Sequence, residues 1–283
     1  MSRYLVTGAT GMLGTDLQAA LADREVTALG RGDLDVTDAA AVLDAVAGHD
    51  VIVNAAAYTK VDDAEEHEDV AYAVNATGAG NLAAAAARHG ARIVQYSTDY
   101  VFDGSATEPY AEETPHAPIS AYGRTKAAGE RLVLEHGGDA AFVIRTAWLY
   151  GAHGPNFAKT MLRLAESKDA WSVVDDQVGQ PTWTADLAAK TVELLDSDAP
   201  GGVYHGTNGG RTSWFGFARA VLEEAGLDPE RITPTDSTAF VRPAPRPAFS
   251  VLGHDAWASA GLTPMRPWRE ALHAAASSGA LSG

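Results

Sequence analysis

The sequence predicts an α/β fold, a doubly wound parallel sheet with a smaller C-terminal lobe, and three observations carry that prediction. Over the first 150 residues, short apolar runs alternate with alanine-rich segments of helical length. The runs are apolar almost throughout, as strands covered on both faces must be. A glycine-rich turn, Gly8-Ala-Thr-Gly11-Met-Leu-Gly14, separates the first run from the first helical segment.

Strands are predicted at Tyr4–Thr7, Val26–Leu29, Val51–Asn54, Ile93–Ser97 and Phe142–Arg145. Helices are predicted near Met12–Ala22, Ala39–Ala47, Ala64–Ala73, Gly80–His89 and Ala121–His136. After Gly151 the alternation loosens, and further helices are expected near Asn156–Glu166, Thr184–Leu195, Trp214–Ala225 and Trp268–Ala276. The stretch Arg242–Ser250 holds three prolines, which suit neither a helix interior nor a central strand, so a surface connector is expected there. Ser277–Gly283 is expected to be a frayed tail. The division that follows is 1–150 for a nucleotide-binding unit and 151–283 mainly for a second lobe, with some segments returning to the first.

Composition narrows the class. The chain of 283 residues is 46% hydrophobic and 20% charged, which is enough apolar material for a core and argues against disorder. Its 37 acidic residues against 21 basic give a net charge of -16, the wrong sign for a nucleic-acid surface. Cysteine is absent, so disulfides and thiolate metal sites are excluded. The first apolar run is too short for a signal-peptide core, and no stretch approaches the ~20 apolar residues of a membrane span. A cytoplasmic location without membrane contact is expected.

The glycine turn follows a strand and opens a helix, the context of a dinucleotide fingerprint in a Rossmann-like fold. Gly8 permits the tight turn, Gly11 lets backbone N–H groups approach a pyrophosphate, and Gly14 lets helix and strand pack closely. Thr10, Met12 and Leu13 lie in the same turn and are candidate cofactor contacts. An NAD site commonly ends its second strand with an acid. Here Leu29-Gly30-Arg31-Gly32 offers Arg31 instead, a partner for a 2′-phosphate, and the expected cofactor is NADPH with NADH as the alternative. Asp35 and Val36 suit an adenine, a carboxylate for its amine and an apolar contact for its ring. Ala55, Ala56 and Ala57 would bring small side chains under the cofactor.

Ser120-Ala-Tyr122-Gly-Arg-Thr-Lys126 places a phenol and an ammonium four residues apart, on one helix face. A nearby ammonium lowers a phenol's pKa and brings it into range as a general acid–base. A bare Y-x-x-x-K is common by chance; what distinguishes this one is Thr98, just past the strand Ile93–Ser97 at the sheet's carboxyl edge. A hydroxyl there can stabilise charge growing on a carbonyl oxygen.

Taken together, the glycine turn, Tyr96-Ser-Thr-Asp-Tyr-Val-Phe102 and Tyr122-Gly-Arg-Thr-Lys126 resemble the extended short-chain dehydrogenase/reductase superfamily. Asn54-Ala-Ala-Ala-Tyr-Thr59, Asn156-Phe-Ala-Lys-Thr-Met161 and Asp176-Gln-Val-Gly-Gln-Pro-Thr182 narrow the resemblance to its dTDP-4-dehydrorhamnose reductase family. The resemblance implies Thr98, Tyr122 and Lys126 as catalytic residues, with Tyr122 and Lys126 also touching the cofactor. It implies a substrate-binding C-terminal lobe and contacts to sugar or nucleotide from Thr59, Asp99, Tyr100, Trp148 and Asn156. Arg246 is the candidate diphosphate contact. The implied substrate is a dTDP-linked 4-keto-6-deoxysugar, with a streptose-type keto sugar as the alternative. Some members are dimers bridged by magnesium through a glutamate; Asp16 stands at the matching position, a shorter acid, so no metal ligand is assigned and the chain is expected to be a monomer or homodimer.

Two rivals share the fold. A dehydratase needs a second carboxylate after Asp99, where this chain has Tyr100. A non-enzymatic NADP-binding regulatory subunit would keep the Tyr/Lys pair, and consumption of NADPH separates it from a reductase.

Overall fold

A computed structural model describes residues 2–282. Six parallel strands form the central sheet: β1 (Arg3–Thr7), β2 (Glu25–Leu29), β3 (Val51–Asn54), β4 (Arg92–Thr98), β5 (Ala141–Thr146) and β6 (Gly202–His205), in the order β6-β5-β4-β3-β1-β2. β3 and β5 are buried along their whole length, which is why their sequences are apolar without alternation. One face packs on α1 (Met12–Ala20); the other packs on α2 (Ala39–Val46), α4 (Ala79–His89) and α5 (Ala121–Gly137). Asp38 caps α2 by accepting from the amides of Ala40 and Ala41, and Ser120 caps α5 by accepting from that of Gly123.

Three features differ from the expectations. The two helices expected at 64–73 and 80–89 form one rod: α3 (Glu68–Tyr72), a π-helical stretch Ala73–Gly78 and then α4. Gly78 is a packing residue and not a break, since a Cβ there would lie 2.6 Å from Val36 Cγ2. β6 was not expected, and it extends the sheet from the C-terminal half. The end of the chain is not frayed through Leu281: Ala280 and Leu281 are buried beneath α10 (Trp268–Ser277), while Gly283 lies outside the described residues.

The C-terminal half serves two cores. α7 (Thr184–Asp196) lies on α1, and Leu187, Leu194, Tyr204 and Trp257 fill the same cluster as Leu13 and Leu17. α6 (Phe157–Ser167), α8 (Trp214–Glu224) and α10 close around a separate cluster centred on Tyr150, Phe217 and Leu272, which is the lobe. The proline-rich segment is more than a connector. Ala244 N–H donates to Asp62 Oδ1 at 3.3 Å, and Phe249 N–H donates to the Gly104 carbonyl at 3.2 Å, so it is strapped to the body. Among the described residues, no helix is long and apolar enough to cross a membrane.

Candidate active site

The carboxyl ends of β1 to β5 open into a cleft of about 1280 Å³, roofed on one side by the lobe. Strand order reverses between β1 and β3, the place where ligands bind in open α/β sheets. At that point Gly8 has a left-handed φ of 67°, and a Cβ on it would sit 2.5 Å from the Ala55 carbonyl carbon. A Cβ on Gly14 would sit 2.2 Å from the Gly8 oxygen. α1 begins at Gly11 with no side-chain cap and no acidic residue in its first turn, so its positive end is open to an anion.

A buried ladder fixes the strand ends. Thr7 Oγ1 donates to Asn54 Oδ1 at 2.6 Å, Asn54 Nδ2 to Gln95 Oε1 at 2.6 Å, and Gln95 Nε2 to the Tyr96 carbonyl at 2.7 Å. Sequence reasoning missed it, because the three side chains meet only once Thr7, Asn54 and Gln95 fall in register across β1, β3 and β4. Ser97 Oγ, Thr146 Oγ1 and Asp99 Oδ2 face the same cleft, buried and without a hydrogen-bond partner in the protein. Buried polar atoms are rarely left unpaired. Together with the glycine cradle, they fit a dinucleotide lying across the cleft with its polar groups toward the strand ends.

Thr98, Tyr122 and Lys126 converge at the end of β4. Thr98 Oγ1 donates to Asp99 Oδ1 at 3.0 Å and accepts from the Tyr100 amide at 3.2 Å, and Tyr122 lines the cleft beside it. The Tyr122 ring meets Tyr100 edge-on, with centroids 5.6 Å apart. One expectation is corrected here. Burial pushes the Tyr122 phenol up, the Asp99 charge adds to this, and the neighbouring Thr98 hydroxyl opposes it. The Lys126 ammonium donates to the Tyr96 carbonyl at 2.6 Å. Burial brings Lys126 itself down to about 8, against the pull of Glu130 one turn further along α5. Burial likewise raises Asp99 to about 6, with the nearby Ser250 and Thr98 hydroxyls opposing.

The candidate cofactor residues Gly8, Thr10, Gly11, Met12, Leu13, Gly14, Arg31, Asp35, Val36, Ala55, Ala56 and Ala57 all line this cleft, as do Thr59, Asp99, Tyr100 and Trp148. Asp35 is partly engaged: its Oδ1 accepts from the Thr37 amide at 2.9 Å and hydroxyl at 2.8 Å, which holds the carboxyl low. Two candidates lie elsewhere. Asn156 caps α6, its Oδ1 accepting from the Lys159 amide at 3.1 Å and its Nδ2 donating to the Gly151 carbonyl at 2.9 Å, so its side chain is committed to the backbone. Arg246 sits outside the cleft wall in an ion pair with Asp62 at 2.9 Å, its guanidinium 6.0 Å from the Tyr100 ring centre. Asp16 faces His153 at 3.6 Å.

The profile of the RmlD substrate binding domain family matches residues 2–280. The chain belongs to that family. It is 53% identical over 278 residues to a Streptomyces griseus protein named dTDP-4-dehydrorhamnose reductase, covering 95% of this chain and 91% of that one. It is 49% identical over 274 residues to a Streptomyces niveus protein named dTDP-4-keto-6-deoxy-D-glucose reductase, covering 95% of each. Its fold superposes with a TM-score of 0.93 on a dTDP-4-dehydrorhamnose reductase from Bacillus anthracis, solved in complex with NADP, at 39% identity and 97% and 98% coverage. Within this RmlD-family chain, Trp214 also lines the cleft, a residue whose place no local motif announces.

Proposed function

We propose that the chain reduces the C-4 ketone of a dTDP-linked 4-keto-6-deoxysugar at the expense of NADPH, with dTDP-4-dehydro-6-deoxy-L-mannose as substrate and dTDP-L-rhamnose as product. The observation that carries this reading is the convergence of Thr98, Tyr122 and Lys126 beside a glycine-cradled cleft. Residues 1–150 supply the cofactor side and 151–283 most of the sugar side. Gly8, Thr10, Gly11, Met12, Leu13 and Gly14 would hold the diphosphate, Asp35 and Val36 the adenine, and Arg31 the 2′-phosphate. Ala55–Ala57 would lie beneath the cofactor, and Lys126 would hold the nicotinamide ribose. When bound, the cofactor supplies the hydride. The rest is done by the chain: Thr98 and Tyr122 hold the ketone oxygen, and Tyr122 gives it a proton.

The Streptomyces niveus relative supports a second reading, reduction of a different dTDP-4-keto sugar by the same groups. Oxidation of NADPH across a panel of dTDP-4-keto-6-deoxysugars tests both. Failure to consume NADPH with any of them would favour the regulatory-subunit reading. Arg31 has its own test. A hydrogen bond to a charged group contributes about 1.5–3 kcal/mol, so Arg31→Ala is expected to raise the KM for NADPH about 10- to 100-fold. The KM for NADH should hardly move; equal losses for both cofactors would remove Arg31 from the 2′-phosphate.

A further inference from the structure

Trp148 follows β5 and carries a φ of 47°, the one non-glycine residue among those described in the left-handed region. Bulky side chains rarely adopt that conformation, and it persists where the surroundings over-determine it. Here two neighbours hold the indole. Gly179 lies against it, where an added Cβ would be 2.6 Å from Trp148 Cε2. Trp214 stacks on it, with ring centres 3.6 Å apart and planes 10° apart.

Trp214 is the first residue of α8, a helix fixed by Ser213, whose hydroxyl accepts from the Gly216 amide at 3.0 Å. Phe157 supports the Trp214 ring from behind at 4.5 Å. Both indoles line the cleft that holds Thr98 and Tyr122, and Trp214 stands at the rim of the lobe's cluster, whose interior is filled by Phe217, Val221 and Leu222.

We infer that Trp214 is a positioning residue for the sugar: stacked against Trp148 where both line the cleft, it fixes the aromatic wall against which the C–H face of a 6-deoxyhexose settles. This rests on the function proposed above. A deoxyhexose ring presents one face of C–H bonds and a methyl group, and an aromatic surface recognises that chemistry while leaving the hydroxyls to polar partners. The body supplies the reacting groups and Trp148; the lobe, through Trp214, sets how far the wall leans over them.

The test uses the full chain and three variants, Trp214→Ala, Trp214→Phe and Gly179→Ala, with steady-state kinetics for both substrates and far-ultraviolet circular dichroism. The exciton band of the stacked indoles should disappear in Trp214→Ala and Trp214→Phe. In Trp214→Ala the KM for the dTDP-keto sugar should rise about tenfold, the size of a lost aromatic pair, with the KM for NADPH within about twofold. Trp214→Phe should recover most of that loss, and Gly179→Ala, whose added Cβ would push Trp148 out of place, should reproduce it. An unmoved sugar KM in Trp214→Ala despite a lost exciton band would overturn the inference. So would parallel rises in both KM values, which mark a structural role. If Trp214→Ala does not fold, Gly179→Ala carries the same comparison. Wild-type turnover separates the two levels: none with any keto sugar removes the proposed function and this inference together, whereas turnover with unshifted variants removes this inference alone.

Discussion

Tyr122→Phe is expected to lower kcat with NADPH and the dTDP-keto sugar by about 100- to 10,000-fold, the usual range for a positioned general acid. The substitution removes one oxygen and leaves the ring. The edge-on contact with Tyr100 therefore remains, and the cradle around Gly8 and the α1 N-terminus is untouched. NADPH should still bind with nearly unchanged affinity, which fluorescence titration measures separately from turnover. Thr98 stays at the end of β4, and by turning its hydroxyl from Asp99 to the ketone oxygen it can still donate there, so some residual rate survives. A kcat within a few-fold of wild type would take Tyr122 out of the proton-transfer role. Loss of NADPH affinity together with turnover would instead mean that the hydroxyl serves binding.

Glu130→Ala should be the most damaging single change to stability. Glu130 is fully buried on α5 beneath Lys126, and its carboxylate accepts from Arg145 Nη2 at 2.8 Å and Nε at 3.1 Å, with His116 Nε2 at 2.8 Å. Arg145 is buried as well; it donates through Nη1 to the Glu112 carbonyl at 2.9 Å and lies 5.1 Å from the Phe102 ring centre. Removing the carboxylate leaves a guanidinium unpaired in the interior, which costs about 3–5 kcal/mol and roughly 10 °C in Tm. Burial pushes the Glu130 carboxyl up, but the His116 and Arg145 hydrogen bonds and the Arg145 charge outweigh it and hold it at about 2. Its folded value thus lies below the unfolded one of about 4.3. The stabilisation is complete above the unfolded value and is lost as pH falls through about 2. Glu130→Gln should therefore melt early at neutral pH and lose the part of the acid dependence that falls between about pH 4 and 2. A wild-type melting curve in either variant would show that the pair contributes nothing net.

How much of this was legible before the structure depends on the range of the signal. β1 to β5, α1, α2 and α5 to α8 carry their periodicity and flanking turn signals within a dozen residues, so their existence could be read locally. β6 could not, because Gly-Val-Tyr-His is short and its only partner, β5, lies some sixty residues earlier. The rod from α3 to α4 was misread because glycine signals both a break and a close approach, and only the contact of Gly78 with Val36 tells which. The cleft residues were largely legible since each sits at a strand end or in a turn whose motif names it. Asn156 and Arg246 do not line the cleft, for the opposite reason: a motif gives a position in the chain, while a helix cap and an ion pair with Asp62 decide where the side chain points. The Trp148–Trp214 stack has no sequence trace at all.

The passage of β6 and α7 back onto the first half bears on how such chains can be recombined. A chimera joined near residue 150 would strand β5 at an open edge and bare the apolar side of α1, since both are covered by segments encoded beyond the junction. Grafting a new sugar preference onto this scaffold therefore calls for replacing surface loops and single side chains within the lobe, and not for swapping the C-terminal half as a cassette.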